Sequence, residues 1–343
     1  MKQISQVDVK KYEIQEVPEP HAGKGEVRIK VAYNGICGSD LHFYLGQHPS
    51  FEGEMPLVYG HEFSGTVDEI GEGVEGFEIG MPAAVQPVRG CGHCKWCTDP
   101  KSNVALCPEE RFYNGGSCEY FVAEAANVVT FRKNTNLREI ALTEPLSVTV
   151  HGIRLVPEGV KDKIVLVTGA GPIGLFTAQA LKAFGAKAVF VTDLQENRRK
   201  TAAALGLIPV DPLTEDIVSV LREKCGVSQF ELSFECAGSE KSLDNCVALT
   251  EPKGAIVLLA VFARKPVVDI FRIEDREIRI YGSFQYTPED FRIAADLLEE
   301  KKINCEILSQ KEFGIAHLPE ALEWTLTHPS ECIKTMLKID YSL

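Results

Sequence analysis

The segment Ile164-Val-Leu-Val-Thr-Gly-Ala-Gly-Pro-Ile-Gly174 decides the fold of this 343-residue chain. Its first half, Ile164–Thr168, is a continuous apolar run, which is typical of a strand buried on both faces. Its second half matches G-x-G-x-x-G and opens a helical stretch that extends to Ala183. In that context the glycines allow a tight turn, a close approach to a pyrophosphate and close packing of helix on strand. The segment therefore predicts a dinucleotide site formed by Gly169, Gly171, Pro172, Ile173 and Gly174.

Strands and helices alternate on the C-terminal side of this segment. Helical stretches are predicted at 198–205 and 216–224. Strand following helix in this way indicates an α/β fold with a doubly wound parallel sheet. The predicted strands are Ala188–Thr192, Leu207–Val210, Glu231–Phe234, Ala255–Ala260 and Glu277–Tyr281.

Asp193 ends the second predicted strand, nineteen residues past Gly174. A carboxylate at this point accepts hydrogen bonds from ribose hydroxyls and repels a ribose phosphate, so NAD is favoured over NADP. Arg198 and Arg199 lie close enough to weaken that preference, and Arg198 is a further candidate for cofactor binding. The alternative is a structural strand–helix turn with a solvated aspartate. Cys236-Ala-Gly238 follows the fourth strand and either flanks the cofactor or forms a simple turn.

The first third of the chain has a different pattern. Residues 26–32 and 63–70 alternate polar and apolar side chains, and glycine-rich turns lie between such runs. These features predict an irregular β domain. The tail, from about residue 284, contains a helix at 290–301 and short strands such as 335–339, and it is a candidate to return to the first domain.

Four cysteines lie within seventeen positions of the β-rich part. C-x-x-C turns place sulfurs on one side of a tight loop, and a fourth cysteine from the returning chain completes a tetrahedral thiolate site, the closed geometry of structural zinc. The alternatives are unrelated thiols or a pair of disulfides. The predicted ligands are Cys91, Cys94, Cys97 and Cys107.

A second set of metal-binding side chains occurs earlier in the chain. Cys37, His61 and Glu62 offer a thiolate, an imidazole and a carboxylate, which suit an open zinc site with one exchangeable position. Zinc in such a site acts as a Lewis acid and lowers the pKa of a bound hydroxyl. On spacing alone Cys37 and His61 are better explained as core residues than as ligands, and Glu144, beside Pro145, as a charge at a bend.

Composition excludes several classes of function. A formal net charge of -13 argues against nucleic acid and anionic membrane surfaces as partners, because both require basic patches. The first eleven residues lack the apolar core of a signal peptide, and no apolar stretch is long enough to span a bilayer. Several cysteines in apolar surroundings suggest reduced, buried thiols and a cytoplasmic location. These cysteines are Cys225, Cys236, Cys246, Cys305 and Cys332.

The combination of motifs resembles the zinc-containing medium-chain dehydrogenase/reductase family. Glu144-Pro145 is similar to the pair in its sorbitol (polyol) dehydrogenase branch and that branch's sugar-acid and galactitol-phosphate relatives, whereas liver-type alcohol dehydrogenases have cysteine there. The match covers almost the whole chain. The motifs that occur in the family's order are Gly35-Ile-Cys-Gly-Ser-Asp-Leu-His42, Gly60-His-Glu62, the four cysteines, Glu144-Pro145 and Gly169–Gly174.

The resemblance implies a domain plan and residue roles. A GroES-like catalytic domain would occupy residues 1–150, a Rossmann NAD-binding domain 151–285, and a return to the catalytic domain 286–343. Catalytic zinc would be bound by Cys37 and His61, with Glu62 and Glu144 ligating it directly or through water. Ser39 would hydrogen-bond the substrate hydroxyl and His42 would pass its proton to solvent. The family also implies a homo-oligomer, dimer or tetramer, that usually associates through the Rossmann domain.

Two departures from the family pattern stand out. Nine residues separate Cys97 from Cys107 where the family usually has seven, an insertion that a surface loop absorbs easily. Gly282-Ser-Phe-Gln-Tyr286 has Gln285 where many polyol dehydrogenases have arginine. A neutral amide cannot make arginine's bidentate charged contact, which disfavours an anionic substrate at this position.

The function predicted from these features is zinc-dependent oxidation by NAD of a secondary alcohol in a polyol or sugar derivative, including sugar acids. An L-threonine 3-dehydrogenase-like enzyme is the nearest alternative, since it shares both zinc motifs. An inactive NAD-binding regulator is a second alternative, against which the intact candidate ligands count. A zinc-finger DNA binder would need a basic surface that this chain lacks.

Overall fold

The computed structural model describes residues 1–47, 55–99, 102–309 and 311–341, which fall into two compact units. The first unit contains the described residues of Met1–Glu144, Thr287–Glu300 and Cys305–Leu343. The second contains Pro145–Tyr286 and Lys301–Asn304. The chain thus leaves the first unit after Glu144, builds the second, and returns to the first.

The elements of the described residues are numbered along the chain. The strands are β1 (Lys2–Asp8), β2 (Lys11–Glu16), β3 (Glu26–Gly35), β4 (Leu57–Val58), β5 (Glu62–Ile70), β6 (Pro82–Val85), β7 (Val88–Arg89), β8 (Arg111–Phe112), β9 (Tyr120–Glu124), β10 (Val128–Thr130), β11 (Ile164–Thr168), β12 (Ala188–Thr192), β13 (Ile208–Val210), β14 (Phe230–Glu235), β15 (Thr250–Leu258), β16 (Arg279–Gly282), β17 (Lys311–Gly314) and β18 (Thr335–Lys338). The helices are α1 (Gly38–Tyr44), α2 (Lys95–Thr98), α3 (Leu137–Ile140), α4 (Thr143–Arg154), α5 (Pro172–Ala183), α6 (Glu196–Ala204), α7 (Ile217–Cys225), α8 (Glu240–Leu249), α9 (Ile270–Asp275), α10 (Pro288–Glu299) and α11 (Leu318–Thr327).

Strand β3 is the centre of the first unit. It pairs antiparallel with β5 along most of its length, with β9 through its first half and with β18 at its end. Its alternating residues Val27, Ile29 and Val31 point into a core that includes Phe63 and Val67, as period-two patterning requires. The main sheet follows the path β10-β6-β5-β3-β18-β17, so the returning chain completes it.

The remaining strands of this unit form two smaller sheets. One has the order β2-β1-β4, and the other is the pair β7 and β8, which flanks the segment of the four cysteines. The β-rich first domain predicted from the sequence is therefore observed, and the sequence patterns at 26–32 and 63–70 lie within β3 and β5.

A six-stranded parallel sheet forms the core of the second unit, in the order β13-β12-β11-β14-β15-β16. All five residues of β11 are buried, as the apolar run predicts. Helices α5, α6 and α8 pack against β12, β13 and β14 respectively. The predicted α/β class with a doubly wound parallel sheet is confirmed.

None of the eleven cysteines, all of which lie in the described residues, forms a disulfide. Of the five expected to be buried, Cys246 and Cys305 are, whereas Cys225, Cys236 and Cys332 are half-buried. None of the helices in the described residues is both long and apolar enough to cross a membrane.

Candidate active site

Strand pairing brings Cys37, His61 and Glu62 together. Cys37 follows β3 and is the N-cap of α1, while His61 immediately precedes β5 and Glu62 is its first residue. Because β3 and β5 are antiparallel with Gly35 opposite Glu62, the end of one strand meets the start of the other. The potential ligand atoms of the three side chains lie within 4.8 Å of one another. His61 and Glu62 are buried and Cys37 is half-buried, so the group is largely removed from water.

Two glycines leave the space that this arrangement needs. Gly60 has a φ of 86°, and a Cβ there would lie 2.3 Å from the buried amide of Asn34. A Cβ at Gly35 would lie 2.3 Å from Oε2 of Glu62. Both positions therefore exclude any side chain, which explains the glycines beside the candidate ligands.

Asp40 fixes the orientation of His61. Its Oδ2 accepts a hydrogen bond of 2.7 Å from the backbone N–H of Cys37, and its Oδ1 lies 3.5 Å from Nδ1 of His61. A carboxylate at Nδ1 sets the imidazole tautomer and leaves Nε2 for a metal. Burial lowers the pKa of His61, but Asp40 and Cys37 outweigh it and raise this pKa well above its usual value. Burial raises the pKa of Asp40.

Lys334 lies on the other side of the group. It precedes β18, whose Met336 is opposite Gly35, and its Nζ donates a hydrogen bond of 2.6 Å to Oε1 of Glu62. The side chains of Lys334 and Glu62 are only 3% and 1% exposed. Sequence reasoning missed this lysine because only the pairing of β18 with β3 brings it here.

The other predicted site residues are placed less directly. Glu144 is buried at the start of α4 and its charge raises the pKa of His61, yet in the described residues it is not part of the group of three. Ser39 and His42 lie on α1, where Ser39 is half-buried and His42 exposed. Their spacing of three residues puts them on one face of the helix.

The four cysteines converge as predicted, with sulfur atoms all within 4.8 Å. The sulfurs of Cys94 and Cys97 are 3.5 Å apart, and the backbone N–H groups of Cys91 and Glu109 donate to Sγ of Cys107. Residues 100 and 101, in the longer loop of this chain, lie outside the described residues.

The pKa values of these thiols diverge. Hydrogen bonds from the backbone of His93, and then of Cys94, lower the pKa of Cys91 to about 6. Burial raises the pKa of Cys97 to about 12. Four converging sulfurs of this kind form a donor set for a closed four-coordinate metal site.

The glycine-rich turn has the geometry of an anion cradle. Gly169 has a φ of 87°, and Gly171 is the N-cap of α5, which begins at Pro172. A Cβ on Gly174 would lie 1.8 Å from the carbonyl oxygen of Gly169, whereas a Cβ on Gly171 would meet nothing nearer than Nη1 of Arg198, at 3.9 Å. Gly174 is thus needed for packing, and Gly171 leaves open space above the helix N-terminus.

Asp193 joins this turn to the second strand. Its Oδ2 accepts a hydrogen bond of 2.8 Å from the N–H of Ala170, and its Oδ1 accepts one from the N–H of Gln195. Arg198 Nη1 lies 3.7 Å from Oδ2 of Asp193. The predicted residues Asp193 and Arg198 therefore sit together beside the turn, with the carboxylate buried.

Glu235 is a buried residue of this region that the sequence did not single out. Its Oε1 accepts hydrogen bonds from the N–H groups of Ala237 and Gly238 and from the hydroxyl of Ser242. The carboxylate thereby fixes the turn after β14. Gly169 packs against this turn, since a Cβ on Gly169 would lie 3.1 Å from Ala237.

Comparison with known families accounts for both units. Residues 23–133 match the alcohol dehydrogenase GroES-like domain, and residues 172–300 match the zinc-binding dehydrogenase domain. The chain is 33% identical over 335 residues to a sorbitol dehydrogenase of Halalkalibacterium halodurans, covering 95% of each chain. The chain belongs to the zinc-containing medium-chain dehydrogenase/reductase family. Its resemblance to the sorbitol dehydrogenase-like branch is confirmed.

Other members of the medium-chain family are similar over nearly the whole chain. The L-galactonate-5-dehydrogenase of Escherichia coli is 30% identical, with 94% of each chain covered. The structure of 2R,3R-butanediol dehydrogenase from Bacillus subtilis superposes with a TM-score of 0.87 at 28% identity and covers 99% of each chain. The predicted GroES-like first domain is confirmed by these matches.

The donor sets suit the zinc chemistry of a medium-chain dehydrogenase. Thiolate, imidazole and carboxylate are the ordinary ligands of zinc. The first group offers one of each, while the second offers four thiols. Asp40 and Lys334 supply charged partners outside the first group, as outer partners of metal ligands generally do. The residues present therefore fit zinc at both positions.

Proposed function

We propose that the protein is a zinc-dependent dehydrogenase that transfers a hydride from a secondary alcohol of a polyol or sugar-derived substrate to NAD, yielding a ketone, NADH and a proton. The observation that carries the proposal is the convergence of Cys37, His61 and Glu62 on one buried point. Sorbitol and L-galactonate dehydrogenases among the relatives support the substrate class.

In this reaction each of several residues would have its own role. Cys37, His61 and Glu62 would hold a catalytic zinc, with Glu144 as a further carboxylate nearby. That zinc would supply a Lewis acid that lowers the pKa of the substrate hydroxyl. Asp40, through its place at Nδ1, keeps the imidazole of His61 oriented toward the metal side.

A proton leaves the site along α1 in this proposal. Ser39 would accept a hydrogen bond from the substrate hydroxyl, and His42, three residues further, would release the proton to solvent. The half-buried position of Ser39 and the exposed position of His42 support that direction. Imidazole suits the second role because one ring nitrogen can accept a proton while the other donates one.

The second unit would bind NAD. The amides at the start of α5 would contact the pyrophosphate, since this end of a helix favours anions. The buried carboxylate of Asp193 supports NAD over NADP, because it would repel a phosphate on the ribose. In this proposal Cys91, Cys94, Cys97 and Cys107 bind a second, structural zinc.

The test is an assay of NADH formation at 340 nm over a panel of polyols, aldonates and L-threonine, with NAD and NADP compared. Zinc per chain is measured on the wild type, on Cys37→Ala and on Cys332→Ala, a control at another half-buried free thiol. We expect two zinc ions in the wild type and control, one in Cys37→Ala, and activity only where both are present. Full turnover by Cys37→Ala with one zinc ion would contradict the proposal, and selective activity on threonine would favour the alternative substrate.

A further inference from the structure

Lys334 is an unusual residue for its position. Among the described residues it is the only lysine or arginine that is buried. Moving an ammonium group out of water is costly and is tolerated only beside a charge of opposite sign. Here that charge is Glu62, whose Oε1 and Oε2 both contact Nζ of Lys334. The lysine is thus held specifically by the carboxylate of a candidate metal ligand.

The geometry around the pair shows that the contact is built into the fold. Glu62 and Met336 are both paired with Gly35, so β5, which begins with Glu62, and β18, which Lys334 immediately precedes, flank the same point of β3. A Cβ at Gly35 would lie 2.3 Å from Oε2 of Glu62 and 2.9 Å from Cε of Lys334. The missing side chain of Gly35 is therefore the space in which the two side chains meet.

The charges near this pair suggest what the lysine does. Asp40, Glu62 and Glu144 are buried carboxylates near His61, and Lys334 is the buried cation that contacts Glu62. A divalent ion bound by Glu62 would share that carboxylate with Lys334, and the two cations would repel each other at short range. The electron density that Glu62 offers a metal is reduced when an ammonium group also draws on it.

We propose that Lys334 is a positioning residue that retains part of the Glu62 carboxylate and thereby makes Glu62 a weak, displaceable ligand of the catalytic metal. The inference rests on the proposed zinc site. A ligand that leaves readily keeps a coordination position available to the substrate oxygen, so the lysine favours turnover at some cost in metal affinity.

The decisive measurement is the rate at which a chromogenic chelator removes the catalytic zinc. This zinc is recognised as the kinetic phase of zinc release that the wild type shows and Cys37→Ala lacks. We expect Lys334→Met to release this zinc roughly 10- to 100-fold more slowly than wild type. This is the size of the effects that replacing outer partners of metal ligands ordinarily has, with the opposite sign because Lys334 competes with the metal. Lys338→Met makes the same substitution on β18, away from Glu62, and should release zinc at the wild-type rate. The kcat of Lys334→Met should fall while its KM for NAD stays unchanged.

A double variant separates positioning from simple charge removal. If Lys334 acts through the carboxylate, Glu62→Gln and Glu62→Gln with Lys334→Met should release zinc at the same rate. The double variant can also be measured where Lys334→Met alone does not fold, because it leaves neither Glu62 nor Lys334 as an unpaired buried charge. Equal or faster release from Lys334→Met, or slowing of the same size in the Glu62→Gln background, would overturn the inference. If no phase is lost in Cys37→Ala, the proposed zinc site itself is wrong.

Discussion

Two glycines of the same turn should respond differently to replacement by alanine: Gly174→Ala should lower stability, and Gly171→Ala should lower the affinity for NADH. At Gly174 the new Cβ would lie 1.8 Å from the carbonyl oxygen of Gly169, about 1.6 Å short of the 3.4 Å at which ordinary contact begins. The position of the Cβ is fixed by the backbone of α5, and the oxygen belongs to the backbone of the turn, so the turn and α5 must move apart. At Gly171 the nearest atom, Nη1 of Arg198, is 3.9 Å away, and the φ of -73° suits alanine.

The expected magnitudes follow from these distances. Overpacking a well-packed site costs about 1–3 kcal/mol, and the helical preference of alanine over glycine returns up to about 1 kcal/mol. Because backbone must move, we expect Gly174→Ala to lose roughly 2 kcal/mol and about 4–8 °C in melting temperature. Gly171→Ala should change stability by less than about 1 kcal/mol. Its methyl group would occupy the pyrophosphate's place, and losing one charge-assisted hydrogen bond corresponds to a roughly 10- to 100-fold weaker affinity for NADH.

Thermal unfolding followed by circular dichroism gives the stability, and calorimetric titration with NADH gives the affinity. Each variant is the control for the other, since both add one methyl group within four residues. Equal melting temperatures for the two variants, or a wild-type dissociation constant for Gly171→Ala, would refute the assigned roles.

Three further predictions concern the thiols and the cofactor carboxylate. Cys94→Ser should lower the melting temperature first and activity only as a consequence, which parallel melting and rate measurements would show; an unchanged melting temperature with no substrate binding would reverse that assignment. In metal-free protein at pH 7.5, Cys91, with its pKa of about 6, should be alkylated by iodoacetamide before Cys97, whose pKa is about 12, and peptide mass spectrometry should record that order. Asp193→Ala should raise the KM for NAD and reduce the preference for NAD over NADP in kcat/KM, because two backbone N–H groups lose their acceptor and the repulsive charge disappears; an unchanged preference would contradict this role.

The parallel sheet was predictable because its strands are buried on both faces and therefore apolar throughout. The run Ile164–Thr168 coincides with β11. The prediction for β15 began at Ala255, but the strand begins at Thr250. Thr250 is buried but polar, residues 251–253 are partly or largely exposed, and the pairing with β14 shifts register between Phe230 and Leu232, so hydrophobicity could not reveal this part of the strand.

The candidate site was predictable where short motifs contain its chemistry and unpredictable where distant strands meet. Cys37, His61 and Glu62 were identified because they lie in short motifs that resemble those of the family, whereas spacing alone favoured core residues. Asp40 was within a quoted motif, and its position three residues after an N-cap was the available signal of a capping role. Lys334 gave no local signal, since a lysine before a short strand is ordinarily exposed. Its burial depends on the pairing of β18 with β3 across most of the chain.

The closing of the main sheet by β18 has a consequence for synthesis. A ribosome makes β3 and β5 before most of the second unit, and β18, which pairs with the end of β3, emerges only after that unit. Until then Glu62 lacks its lysine and β3 has an open edge at the candidate metal site, where pairing with other chains is a hazard. Residues translated after the second unit therefore complete the sheet that was begun before it. A premature stop just before β18 would leave the parallel-sheet unit intact in sequence and the main sheet of the first unit incomplete.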